Sequence, residues 1–137
     1  MPTSKRYKQI TPSGNSLFYF LPALVWGFLI VYFSLLPGNE VPDVLADIND
    51  KLVHGLIYFV SAGLIYLGFI RYNFSNRVTS LALWINIAIC ISGGALIEVI
   101  QHYWVANRNG DWQDFLANAL GSLVCVLFFR VFHGLRA

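Results

Sequence analysis

Charge is scarce in this chain. Only 12% of its 137 residues are Asp, Glu, Lys or Arg, against roughly 25% in an ordinary soluble domain, so water is not the solvent it is composed for. A net charge of +2 gives no basic footprint for a polyanion, which sets nucleic-acid binding aside. There are two cysteines, Cys90 and Cys125, both deep in apolar stretches and without metal-type spacing. They read as small buried hydrophobes and predict no disulfide. Internal repeats and low-complexity tracts are missing too. The one shift in composition falls near residue 16, where a polar basic leader (MPTSKRYKQITPSGNS) meets the first apolar run. That run is too long for a signal-peptide core and lacks a small-x-small cleavage site, so a retained first span is expected. The organisation read from this is a cytoplasmic leader over 1–16 and one membrane domain over 17–137.

What the chain has in quantity is apolar length. A helix crosses the hydrocarbon core with about 20 apolar residues, and four stretches qualify: 17–36, 51–70, 81–101 and 114–133. Short polar connections between them predict an all-α, up-down four-helix bundle. Pro22 falls in the first turn of its span, where a helix tolerates it. Small residues mark expected contact faces: Ser61, Ala62 and Gly63; Ser92, Gly93, Gly94 and Ala95; Ala117 and Gly121. Between the first two spans, Val41, Val44, Leu45 and Ile48 recur at i, i+3, i+4 and i+7 behind Pro42. That pattern suits a short amphipathic helix on the outer face, and a solvated acidic loop is the competing reading.

The basic residues set an orientation. Lys5, Arg6, Lys8, Arg71, Arg77, Arg130 and Arg136 fall on one side of a four-span chain, which predicts both termini in the cytoplasm. Only Lys51 and Arg108 are left for the other side, where every acidic residue joins them: Glu40, Asp43, Asp47, Asp50, Glu98, Asp111 and Asp114. The positive-inside rule does not account for the acids.

Helical spacing gives them one. Asp50, His54, Tyr58 and Ser61 form a stripe at i, i+4, i+8 and i+11; Gly94, Glu98 and Gln101 form another; Asp114, Asn118 and Gly121 a third. All three lie at the outer ends of their helices. Polar groups avoid lipid, so the stripes are expected to turn toward one water-reachable pocket. Asp50, His54, Glu98 and Asp114 are the acid/base candidates, with His54 as general base oriented by Asp50 or Glu98. Lys51 and Arg108 suit a phosphate or carboxylate; Tyr58, Gln101, Asp111 and Asn118 complete the substrate-binding set. Glu98, set inside a span, needs a partner, and Lys51, Arg108 and His54 are the candidates. Competing structural readings stand beside these. Asp50 and Asp114 suit helix N-caps, His54 a packing histidine, and the whole set a register-fixing polar cluster. A divalent ion on His54, Glu98, Asp50 or Asp114 is conceivable, as Zn²⁺, Mg²⁺ or Mn²⁺, but no H-E-x-x-H or comparable spacing backs it, so the metal content is left unknown.

The pieces SLLP (34–37), DKLVHGLIYF (50–59), EVIQ (98–101) and RNGDWQDFLANALG (108–121) together resemble the VanZ-like family of small bacterial membrane proteins. The resemblance covers nearly everything after residue 30 and follows the pattern D-K-x-x-H-x-x-x-Y, E-x-x-Q, R-x-x-D-x-x-D-x-x-x-N-x-x-G. A further glycine often found one turn later is Cys125 here, which would loosen packing of the fourth helix. The resemblance implies a multi-pass protein of the cytoplasmic membrane, an envelope context and a link to resistance against the glycopeptide teicoplanin. It implies no reaction. Three functions follow: an enzyme acting on a phospholipid or lipid-linked substrate at the outer leaflet, a non-catalytic binding module, or a scaffold. A channel is disfavoured because no polar path continues inward.

Overall fold

The computed structural model describes residues 16–40, 49–72 and 79–134. Among them there are four α-helices and no strand: α1 (Leu21–Ser34), α2 (Asp50–Tyr72), α3 (Ser80–Trp104) and α4 (Trp112–Gly134). A 3₁₀ turn, Ser16–Phe20, leads into α1, and another, Gly38–Glu40, follows it. Pro22 sits in the first turn of the α-helix proper, where its missing N–H has no partner to lose. All four spans are long and apolar enough to cross a membrane, as their composition predicts. The leader, Asp43 and Asp47, and the expected amphipathic helix through Val41, Val44, Leu45 and Ile48 lie outside the described residues.

The interior is made of small and polar groups, and the large apolar ones face outward. Ala62, Asn86, Asn118, Ser122 and Cys125 are fully buried, whereas Leu24, Phe28, Leu81, Trp84, Leu120 and Leu127 stand exposed. That is the reverse of a water-soluble bundle and the pattern of a multi-pass membrane protein. Lipid supplies no hydrophobic drive between helices, so close backbone approach and interhelical hydrogen bonds hold them together. The principal contact is α2 against α4. There Gly121 lies on the Gly55 carbonyl so closely that a Cβ would overlap it. One turn on along α4, the Cys125 thiol lies over Gly63 at ordinary contact distance, with Phe129 beside it. The bulk expected to loosen α4 is thus taken up opposite a glycine. Tyr66 stacks on Phe129 at 4.5 Å. Asn86 of α3 donates to the Ala62 carbonyl of α2 at 2.9 Å.

The contact faces are narrower than the small residues suggest. Gly94 packs on Asn118 and Tyr58, but Gly93 has nothing within 4 Å, and exposed Ser92 bonds back to the Ala88 carbonyl at 2.6 Å. Helix starts also depart from expectation. Asn49, not Asp50, caps α2 by accepting the Leu52 N–H at 3.3 Å. Asp111, not Asp114, caps α4 by accepting the Gln113 N–H at 2.9 Å. Both candidate acids are therefore released from capping.

α1 is the loosely held helix, with no buried residue. At one end Phe20 lies in the notch left by Gly68 and meets Phe69 edge-on at 5.2 Å. Midway, the Trp26 indole donates to Ser61 Oγ at 3.1 Å and to the Ile57 carbonyl at 3.3 Å. At the far end Gln101 donates to the Ser34 carbonyl at 2.9 Å.

Candidate functional site

The end of the bundle where α1 and α3 finish and α2 and α4 begin carries all the described acidic groups. Two loops meet there. The Gly38 N–H donates to the Ala106 carbonyl at 3.1 Å, with Gly38 pressed on the Asn107 backbone too tightly for a side chain. The α3–α4 loop turns through Asn107, at φ 57°, a left-handed conformation that asparagine tolerates better than most residues. The neighbouring Asn109–Gly110 pair is not the left-handed point. Gly110 is required for another reason: its Cα lies against the Glu98 carbonyl, where a Cβ would collide. That approach brings the Asp111 N–H to Glu98 Oε2 at 2.9 Å.

Three polar stripes converge as predicted, but into two connected parts. The first is an ion cluster. Lys51 reaches Asp111 Oδ2 and Asp114 Oδ1, both at 2.7 Å, tying α2 to the start of α4. Lys51 and the Gln113 N–H hold the Asp111 carboxyl below the usual carboxylate range. Glu98 is buried, and its partner is the Asp111 backbone rather than Lys51 or Arg108. Its other oxygen, Oε1, is buried without a hydrogen bond and stands 3.9 Å from His54 Nδ1.

The second part is a cavity of about 710 Å³ between α1 and the other helices. Trp26, Leu29, Ile30 and Phe33 of α1, with Val53, Ile57 and Ile97, give it an apolar wall. Asp50, His54, Tyr58, Gln101, Arg108 and Asn118 give it a polar end. Of the predicted substrate-binding residues, Tyr58, Gln101, Arg108 and Asn118 therefore line the cavity, whereas Lys51 and Asp111 stand beside it in the ion cluster. Of the acid/base candidates, Asp50 and His54 line it, and Asp114 and Glu98 sit behind His54. Gln101 spends its amide N–H on the Ser34 carbonyl. Among the described residues Arg108 has no ion-pair partner, which leaves its guanidinium available at the cavity.

His54 joins the two parts. Its Nδ1 lies 3.1 Å from Asn118 Oδ1. Its Nε2 lies 3.7 Å from Asp50 Oδ1 and 3.9 Å from Asp114 Oδ2. Neither carboxylate is within hydrogen-bond range, so the orienting partner is Asn118 and not the expected Asp50 or Glu98. Sequence reading missed the whole α1 contribution. The signal was present: Trp26, Leu29, Ile30 and Phe33 recur at i, i+3, i+4 and i+7, and an indole N–H inside an apolar run needs an acceptor.

Fold and site together define a four-helix multi-pass membrane protein with an amphiphilic cavity at its acidic end. Comparison with family profiles, with curated proteins and with solved structures finds no match for this chain.

Proposed function

We propose that this chain is a VanZ-like protein of the bacterial cytoplasmic membrane, with both termini in the cytoplasm. Its outward cavity takes the headgroup of an envelope phospholipid or lipid-linked cell-wall precursor, which is the setting in which glycopeptide resistance of the teicoplanin kind would arise. The observation that carries this reading is the shape and chemistry of the cavity. Its volume, about 710 Å³, falls within the roughly 300–1,000 Å³ of small-molecule sites. One wall is apolar helix, as an acyl chain requires, and the opposite end holds Arg108, which has no ion-pair partner among the described residues and suits an anion. Arg forks onto phosphate or carboxylate through paired N–H donors. Tyr58 and Asn118 stand where they orient the head, and His54 is the group placed to move a proton. Binding is the activity the geometry supports best, with chemistry at His54 built on it.

A scaffold reading takes its support from a different place, the Lys51–Asp111–Asp114 cluster, which lies off the cavity and ties helices together. The two assign different jobs to different residues. Native mass spectrometry of purified protein separates them. An anionic lipid should copurify with wild type and be lost from Arg108→Gln in equally stable protein. Retention of the same lipid by Arg108→Gln rejects the headgroup site. Turnover is tested with His54→Gln on phospholipid and polyprenyl-phosphate substrates. A reaction would fall by orders of magnitude, whereas a pure binder would weaken in graded fashion, by about 1–3 kcal/mol.

A further inference from the structure

We infer that His54 Nε2, Asp50 and Asp114 form a binding site for a divalent transition-metal ion of the Zn²⁺ or Mn²⁺ kind. One ligand atom from each of the three lies within 4.8 Å of the others. On the Nδ1 side the imidazole has one acceptor within hydrogen-bond range, Asn118 Oδ1 at 3.1 Å; Glu98 Oε1, from a side chain more than nine-tenths buried, lies beyond it at 3.9 Å with no hydrogen bond of its own. The Asn118 oxygen accepts the ring proton on Nδ1. Nε2 then presents a lone pair to Asp50 and Asp114. With the ring proton on Nδ1, Nε2 and one oxygen each of Asp50 and Asp114 are three acceptors facing one another, Lys51 being spent on the other Asp114 oxygen, and a cation at that point would satisfy all three.

The spacing suits an ion and does not suit a proton. At 3.7 and 3.9 Å the Nε2–carboxylate separations exceed any useful hydrogen bond. Ligand bonds of roughly 2.0–2.2 Å put neighbouring donor atoms about 3.0–3.5 Å apart, about 0.2–0.9 Å less. Asp50, with its side chain 64% exposed, has room to close that gap. Asp114 is already clamped by Lys51 through Oδ1, which leaves Oδ2 for the ion. The donor set, one imidazole and two carboxylates, fits Zn²⁺ or Mn²⁺ better than a soft thiophilic metal. A histidine whose second nitrogen is held by an amide or carboxylate oxygen is the usual support for a metal ligand. The surrounding charge agrees: among the described residues of the cluster, Asp50, Glu98, Asp111 and Asp114 are four carboxylates against one lysine, Lys51, which pairs with Asp111 and Asp114.

The test uses full-length protein in detergent, carrying no histidine tag and stripped with chelator. Zn²⁺ is titrated calorimetrically and Mn²⁺ by paramagnetic resonance. Wild type should take up one ion per chain. His54→Gln should abolish uptake, and Asp50→Asn should weaken it at least tenfold. Asn118→Ala should weaken it roughly 10–100-fold at unchanged stoichiometry, as expected for a supporting residue. Gly93→Ala, at a position with nothing within 4 Å, should bind as wild type does. Thermal stability of each metal-free variant is measured in parallel, and only those melting near wild type are compared. Stable wild type that takes up neither ion overturns the inference, as does equal uptake by a stable His54→Gln protein. Lipid copurification does not enter either readout, so the headgroup site and the metal site fail separately.

Discussion

Replacing Gly121 by alanine places a methyl group on the Gly55 carbonyl, at the closest approach between α2 and α4. Both sides of that contact are backbone, so no rotamer change relieves it and the helices must part. Overpacking of this kind costs about 1–3 kcal/mol, and the upper half of the range applies because neither helix can yield locally. Alanine also recovers about 1 kcal/mol of helix propensity over glycine. Gly93→Ala, where nothing lies within 4 Å, gains the same propensity with no clash and isolates the steric term. The difference between the two variants should therefore be about 2–3 kcal/mol, with Gly121→Ala below wild type and Gly93→Ala at or above it. Reversible unfolding in mixed micelles, followed by thermal melting of the same preparations, measures it. Separation of α2 from α4 also draws Asp114 and Asn118 away from Lys51 and His54, so lipid binding should weaken in Gly121→Ala alone. Equal stabilities for the two variants would refute the claim that the α2–α4 seam rests on backbone contact.

Other expectations follow from single contacts. Asn86→Leu removes the bond to the Ala62 carbonyl and should lower stability by about 1–2 kcal/mol; an unchanged melting temperature would show the bond to be idle. Asp111, held low by Lys51, contributes stability that is fully present above about pH 3.9 and is lost as pH falls through its depressed native value. Asp111→Asn keeps a competent cap but should show a flatter acid limb at low salt than wild type; parallel acid curves would remove the ion pair from the stability account. Trp26→Phe frees Ser61 Oγ and should weaken lipid retention while leaving the melting of the α2–α4 core unchanged, which copurified lipid and thermal unfolding read separately. Reporter fusions at the two ends should both give cytoplasmic signals, and opposite signals would break the four-span topology.

Much of this arrangement was legible because lipid imposes strict rules on sequence. Four spans follow from apolar length, and the helix bounds depart from the periodic pattern by only a few residues. The polar stripes were readable for the same reason: Asp50, His54 and Tyr58 share one face of α2 whatever it packs against. Pairing was harder to read. Lys51, Glu98 and Arg108 all carry charges at one depth, and only the rotation of each helix decides who meets whom. Lys51 took two aspartates, Glu98 took a backbone N–H, and Arg108 took neither. Caps were misassigned by one to three residues because Asn49, Asp50, Asp111 and Asp114 are all competent, and the loop geometry selects among them. The α1 wall went unread because its side chains are apolar on every face, and its inward face differs from the lipid face only in what lies opposite.

α1 is fastened low, by Phe20 in the Gly68 notch, and at mid-height by one indole, while among the described residues the hydrogen bond that ties its upper half comes from Gln101. From Trp26 to Ser34 the helix climbs about 12 Å at 1.5 Å per residue. Over that height, among the described residues, the partition between the cavity and the bilayer is this single helix. A molecule already lodged in the leaflet could slip in sideways past this post, keeping its tail among its neighbours while only its head changed company. Discrimination in such a doorway would fall on the head, and tails of many lengths would pass.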